Sequence, residues 1–187
     1  MESLKDYIVI FKDAVTQPLC DTLLDEFSDE DEWVDTVVGH HGNVNKKIRN
    51  ASTITISFPH VIDKNKNVRT KLDKYIFASA AEVIKKYNNM FPCAMIEEDS
   101  GYELLRYKEG QFYTQHTDSF KARPRSVSCS FALNDNYEGG EFAFFGRKIK
   151  YKLEKGDAIL FPSNFMYPHE IMPVISGTRY SIVTWFI

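Results

Sequence analysis

The sequence predicts an α+β fold, a β-sandwich with helices packed on one of its sheets. Three observations carry this expectation. Two stretches within residues 1–92 place apolar residues at helical spacing. After Pro92 the chain breaks into eight short segments rich in aromatic and β-branched residues, punctuated by Gly, Pro and Asn–Asp. Apolar residues make up 43% of the 187 positions and aromatics 14%, enough for a sizeable core. Helices that precede a run of strands bury their apolar stripes against a sheet face. The chain is therefore read as one domain over 1–187, with 1–92 as a helical support region and 93–187 as the β-rich core.

The opening run YIVIFKDAV (7–15) is apolar and β-branched, so a strand is expected. Thr16 then suits a helix N-cap, and Pro18 is tolerated in a first turn. Cys20, Leu23, Leu24 and Phe27 follow at i, i+3, i+4 and i+7, one apolar helical face. The acidic SDEDE (28–32) reads as a solvated helix end. VVGHHGNVNKKIRNAS (37–52) has two glycines and no steady period, which reads as a loop, and STITISF (52–58) alternates like a strand. From about Asp63 to Asn88, Val68, Leu72, Tyr75, Ile76, Val83, Ile84 and Tyr87 keep helical spacing, the longest helix in the chain. The eight strand segments are GYELLRYKEG, FYTQHTD, SVSCSFALND, GEFAFFG, KIKYKLEKGD, AILFPSN, HEIMPV and TRYSIVTWFI.

Composition narrows the function classes. A formal charge of -3 gives no reason to expect nucleic acid or an acidic membrane face as partner. The short charged-flanked N-terminal run is no signal peptide, and no apolar run approaches the ~20 residues of a membrane helix. Cys20, Cys93 and Cys129 are widely spaced and odd in number, which fits a reducing compartment better than a disulfide framework. A cytoplasmic protein is expected.

The stretch YKEGQFYTQHTD (107–118) carries the chemistry. In a strand, residues i and i+2 share a face, so His116 and Asp118 can present an imidazole and a carboxylate to one point, with Thr117 turned away. A third ligand would complete the 2-His-1-carboxylate face that holds non-haem Fe(II) with positions left open. His169, in NFMYPHEIMPV, is the best candidate, and Arg179 follows ten residues later. His40 and His41 sit in the loop, and His60 follows Pro59. A structural His-Asp pair in a non-catalytic β-sandwich binding module fits the same spacing. So does a hydrolytic zinc enzyme, although zinc gives Arg179 no role.

The ordered segments YKEGQFYTQHTD, LNDNYEGGEFAFF, LEKGDAILFPSN and HEIMPVISGTRYSIVTWF resemble the 2-oxoglutarate- and Fe(II)-dependent dioxygenases of the prolyl 4-hydroxylase type. The resemblance covers roughly residues 100–187. It implies that the sandwich is a double-stranded β-helix, a cupin-like jelly roll. It also implies Fe(II) as metal, 2-oxoglutarate as cosubstrate, O2 as oxidant and ascorbate as reductant. The implied activity is that of a procollagen-proline 4-dioxygenase-like enzyme, which hydroxylates proline in a peptide or protein and releases succinate and CO2. A free amino acid or another small molecule is the alternative substrate.

Carried over by position, the resemblance makes His116, Asp118 and His169 the iron ligands. It gives Arg179 the distal carboxylate of 2-oxoglutarate, where a planar guanidinium suits a bidentate pair. Tyr107 falls where the family uses a phenol on the cosubstrate, and Tyr113, Arg125 and Trp185 fall where relatives contact the peptide. A carboxylate at 118 occupies the position that halogenating relatives leave to chloride, so hydroxylation is implied. The sequence departs from some relatives at Ala132, where they carry a second cosubstrate-binding Tyr. The loop 37–52 matches a region that relatives close over the peptide, and it reads either as a substrate lid, with His40 and His41 as lid residues, or as a plain surface connection.

Overall fold

Alternating apolar residues pair the strands into two antiparallel sheets in the computed structural model, which describes residues 3–28, 30–39, 42–57 and 66–187. In chain order the strands are β1 (Val9–Phe11), β2 (Val34–Asp35), β3 (Arg49–Asn50), β4 (Ser52–Thr55), β5 (Glu103–Tyr107), β6 (Phe112–His116) and β7 (Val127–Ala132). They continue as β8 (Glu138–Gly139), β9 (Phe142–Phe144), β10 (Ile149–Tyr151), β11 (Ala158–Pro162), β12 (His169–Ile171), β13 (Val174–Ser176) and β14 (Arg179–Phe186). The helices are α1 (Gln17–Glu26) and α2 (Lys66–Met90). The larger sheet runs β1-β11-β7-β14-β5-β4-β2, and the smaller runs β10-β9-β12-β6-β3. A further pair joins β13 to β8.

The period of two along each strand divides the apolar residues between two cores. On the larger sheet Ile54, Leu104, Phe131, Leu160 and Ile182 face the helices, where Cys20, Leu23, Leu72, Ile76 and Val83 pack on them. Their strand neighbours Leu105, Tyr107, Ala132, Ile159 and Phe161 turn inward, against Phe142, Phe144 and Ile171 of the smaller sheet. The result is the expected jelly roll, helices on the outer face of one sheet. Phe131 is fully buried in the helix-facing layer. Phe131→Ala is expected to cost about 3–5 kcal/mol by lost burial and a residual cavity, read as a lowered denaturant midpoint.

The N-terminal half supplies more than support. β1 pairs with β11, β4 with β5 and β3 with β6, so strands from residues 9–55 extend both sheets. The first strand is shorter than the apolar run 7–15, because the chain turns after Phe11 and Asp13 takes a left-handed φ of 52°. Thr16 does occupy the N-cap of α1, but its hydroxyl makes no cap bond; its carbonyl accepts from the Cys20 amide at 3.1 Å. Within 28–32 the chain forms a short 3-10 turn at Glu30–Glu32, and Glu32 pairs with Arg69 at 2.7 Å. That ion pair ties the turn to α2, so this acidic segment is not simply solvated.

In α2 the buried stripe is Leu72, Ile76, Ala80, Val83 and Tyr87, whereas Val68 and Tyr75 face outward. A small alanine at position 80 completes a stripe that large residues alone did not mark. The expected helix start at Asp63 and the strand end at Phe58 lie outside the described residues. Two short strands fall at or beyond the edges of the eight β-rich segments: β8 lies just before GEFAFFG, and β13 begins at the last residue of HEIMPV. Among the described residues no helix is long and apolar enough to cross a membrane.

Candidate active site

β6 and β12 lie side by side in the smaller sheet, with His116 directly opposite His169. Cross-strand neighbours of that kind hold their side chains close, and the two rings lie 4.3 Å apart between centroids. Strand β6 ends at His116, so Asp118 does not share a strand face with it. Asp118 stands in the bend that follows, where the Asp118 and Ser119 amides both donate to the Ser163 carbonyl, at 3.2 and 3.0 Å. That anchor brings the carboxylate back to the imidazoles. His116 Nε2 is 3.4 Å from Asp118 Oδ1, and His169 Nε2 is 3.5 Å from Oδ2.

The outward-facing nitrogens are already committed. Nδ1 of His116 lies 2.9 Å from the Thr114 carbonyl and Nδ1 of His169 lies 3.1 Å from the Tyr167 carbonyl. A carbonyl only accepts, so each Nδ1 carries the proton and each Nε2 offers a lone pair inward. Burial and the neighbouring His116 push the His169 pKa down to about 4 despite Asp118, which leaves the ring neutral and ready to ligate. Burial works against the charge of Asp118. The Ser128 hydroxyl, which donates to Oδ2 at 2.6 Å, opposes that cost, as does a proton on either imidazole when the metal is absent, and the carboxyl is held well below the usual carboxylate range. Ser128 is itself tied to Ser163 at 2.7 Å.

The three ligand atoms lie within 4.8 Å of one another. Two neutral imidazoles and one carboxylate, with oriented outer hydrogen bonds and an open cleft beside them, fit Fe(II) bound on one face. The cleft is about 600 Å³ and runs between the sheets from this centre to Arg179.

Arg179 begins β14 and pairs across the larger sheet with Tyr107 of β5. It is 3% exposed, with its guanidinium carbon 5.4 Å from the Tyr107 ring centre and 5.2 Å from that of Phe142. Its hydrogen bond goes to the neutral Ser181 hydroxyl at 3.0 Å. Among the described residues no carboxylate lies within ion-pair reach of it. The Gly-Gly-Glu turn makes room for this side chain: Gly140 has φ +66°, and a Cβ there would come within 3.0 Å of Arg179 Cδ. The Lys-Gly-Asp turn is structural instead, since Asp157 accepts from the Lys12 ammonium at 2.8 Å and from the Glu154 amide at 3.0 Å.

Tyr113, Arg125 and Trp185 also reach this cleft. The Tyr113 ring stacks on His116 at 3.5 Å between centroids, tilted by 15°. Arg125 lies 3.6 Å from the centre of the Trp185 ring and donates to the Asp118 carbonyl at 3.2 Å. Two participants were not read from the sequence. Arg49, from β3, lies over the Tyr113 ring at 4.7 Å and lines the cleft with Tyr107, yet it sits in a segment with no period to single it out. Ser128 belongs to the inward row Ser128, Ser130, Ala132 on a strand whose other face is apolar, and that polar alternation was a usable signal.

The segment 37–52 forms part of the cleft wall through Val37, Val38, Gly39, Ile48 and Arg49. Its end is held: Arg49–Asn50 pairs with β6, and the Thr114 amide donates to the Ile48 carbonyl at 2.8 Å. Val38 bridges to Asn43, while His40, His41 and His60 lie outside the described residues.

Residues 102–187 match the family model of the 2OG-Fe(II) oxygenase superfamily. A PKHD-type hydroxylase of Prochlorococcus marinus (strain MIT 9215) is 26% identical over 134 residues, which cover 66% of this chain and 56% of that protein. The chain spans about half the length of the curated relatives it matches. Among solved structures, a Trichoplax adhaerens prolyl hydroxylase in complex with a hypoxia inducible factor peptide fragment superposes with a TM-score of 0.80. It is 18% identical, and the match covers 97% of this chain and 83% of that one. A Pseudomonas putida prolyl-4-hydroxylase superposes with a TM-score of 0.70 at 21% identity, covering 96% of this chain and 92% of that one. At these identities the likeness is one of fold.

Proposed function

We propose that this chain, whose residues 102–187 match the family model of the 2OG-Fe(II) oxygenase superfamily, is such an oxygenase and hydroxylates proline within a peptide or protein at the expense of 2-oxoglutarate and O2. One observation carries the reading: the buried, carboxylate-free Arg179 lies in the same cleft as a three-ligand metal centre. An unpaired buried charge is costly, and an anionic ligand removes that cost. A zinc hydrolase or a passive binding module has no use for it.

Fe(II) bound by His116, Asp118 and His169 supplies the O2 activation that couples decarboxylation of 2-oxoglutarate, to succinate and CO2, with hydroxylation of a C–H bond. The protein's part is positioning. Arg179 holds the distal carboxylate in a charge-assisted pair, and the Tyr107 phenol orients the same end. Tyr113 and the stacked Arg125–Trp185 pair form the wall that receives the peptide and keeps its target carbon near the metal. Ascorbate serves as reductant when turnover uncouples. The three cysteines are free thiols, which supports a reducing, cytoplasmic setting. The peptide-bound prolyl hydroxylase among the structural neighbours supports a peptide over a free amino acid.

Succinate release should be measured with Fe(II), 2-oxoglutarate and ascorbate, over proline-containing peptides and free proline. Peptide-stimulated succinate with a mass gain of one oxygen on proline is the expected result. Stimulation by free proline alone, or none with any prolyl substrate, would overturn the substrate assignment. The lid assignment narrows to the part of 37–52 before Ile48, because Ile48 to Asn50 are tied to β6 and Ser52 begins β4. Shortening that part is expected to raise the apparent KM for peptide several-fold, with iron binding unchanged. Unchanged peptide kinetics would remove the lid.

A further inference from the structure

β7 carries three inward-facing small residues in a row, and they do different things. Ser128 bonds the ligand Asp118, and Ala132 lies opposite Ser181, the hydroxyl that holds Arg179. Ser130 lies between them, 2% exposed, and its hydroxyl has no hydrogen-bond partner among the described residues. Its cross-strand neighbours are Ile159 and Val183, neither of which offers one through its side chain. Burying an unpaired hydroxyl is unfavourable, and alanine would fill this place in the strand without that cost. Yet Ser130 lines the cleft on the path between the metal centre and Arg179.

We infer that Ser130 binds the cosubstrate: its Oγ–H donates to an oxygen of the α-keto dicarboxylate lying between the metal and Arg179. This rests on the 2-oxoglutarate reading above. An acyclic five-carbon dicarboxylate anchored at the metal and at Arg179 passes along the β7 face, where its carboxylate oxygens have more acceptor sites than the two anchors fill. The small side chain of Ala132 leaves that face open beside Ser130. The hydroxyl is thus unpaired only in the ligand-free protein, and binding satisfies it. Ser128 and Ser130, two positions apart on one strand face, take separate tasks: the first orients the metal ligand, the second the cosubstrate.

The test uses the full chain loaded with Mn(II), with no turnover. Binding of 2-oxoglutarate is measured by calorimetry for the parent, Ser130→Ala and Ser130→Thr, and the ligand-free melting temperature is measured for each. Ser130→Ala should weaken 2-oxoglutarate by roughly tenfold to a hundredfold, the loss of one hydrogen bond to a charged group. It should leave Mn(II) affinity unchanged and keep or raise the ligand-free melting temperature, because it removes an unpaired buried hydroxyl. Ser130→Thr, which keeps the hydroxyl, should retain most of the affinity. Equal 2-oxoglutarate binding by the parent and Ser130→Ala would overturn the assignment, as would a lower ligand-free melting temperature for Ser130→Ala, since the hydroxyl would then have a partner in the fold. A parent that fails to bind 2-oxoglutarate at all would instead sink the cosubstrate reading itself, and this assignment with it.

Discussion

Asp118→Ala is expected to abolish turnover and to weaken divalent-metal binding by more than two orders of magnitude, with the fold intact by circular dichroism. The carboxylate is the only negative charge in the ligand set, and both imidazole nitrogens converge on its two oxygens. Removing it leaves two neutral donors for a dication. A graded comparison makes the prediction sharper. Ser128 touches the carboxylate and not the metal position, so Ser128→Ala should cost only ~10–100-fold in metal affinity, the usual range for an outer hydrogen bond. Asp118→Asn keeps the shape and can still meet Ser128, but it loses the charge, and it should fall near the alanine variant. Metal titration with Mn(II) or Co(II) reads all three. Near-parental affinity in Asp118→Ala would place the metal elsewhere.

The sequence made the two-layer fold and three converging side chains legible because both rest on local periodicity and motif order. Alternation along SVSCSFALND already separates Cys129 and Phe131 from Ser128, Ser130 and Ala132, and the structure puts those rows on opposite faces of the larger sheet. The short elements were hidden for a physical reason. β2, β3 and β8 span two residues each, too few to show a period, and only their partners in distant strands stabilise them. Arg49 was missed on the same ground, since its place over Tyr113 follows from pairing with β6 rather than from anything near it in the chain. His116 and Asp118 were read together for a reason that holds only in part. The strand stops at His116, and the anchor to the Ser163 carbonyl, 45 residues on in sequence, brings the carboxylate home. Val68 and Tyr75 show the opposite error, apolar residues at helical spacing that face outward because the true stripe runs through Ala80.

Arg179→Ala is expected to raise the 2-oxoglutarate requirement by tens- to thousands-fold while metal affinity stays within a few-fold of the parent. The guanidinium is buried, its hydrogen bond runs to the neutral Ser181, and among the described residues no carboxylate competes for it. Truncating one partner of a buried, hydrogen-bonded charge pair costs about 2–5 kcal/mol, which converts to that range of affinity. The cost falls on the complex and not on the free protein, where the charge has no partner to lose. Arg179→Ala should therefore fold, and its ligand-free stability should drop by no more than the loss of contact with Tyr107 and Phe142 dictates. Arg179→Lys separates charge from geometry: it keeps a cation but not the planar two-pronged donor, so it should bind 2-oxoglutarate more tightly than alanine and less tightly than arginine. Calorimetry on the Mn(II)-loaded variants gives the order directly. If Arg179→Ala binds 2-oxoglutarate like the parent, the distal carboxylate lies elsewhere in the cleft, and the buried charge has another anionic partner.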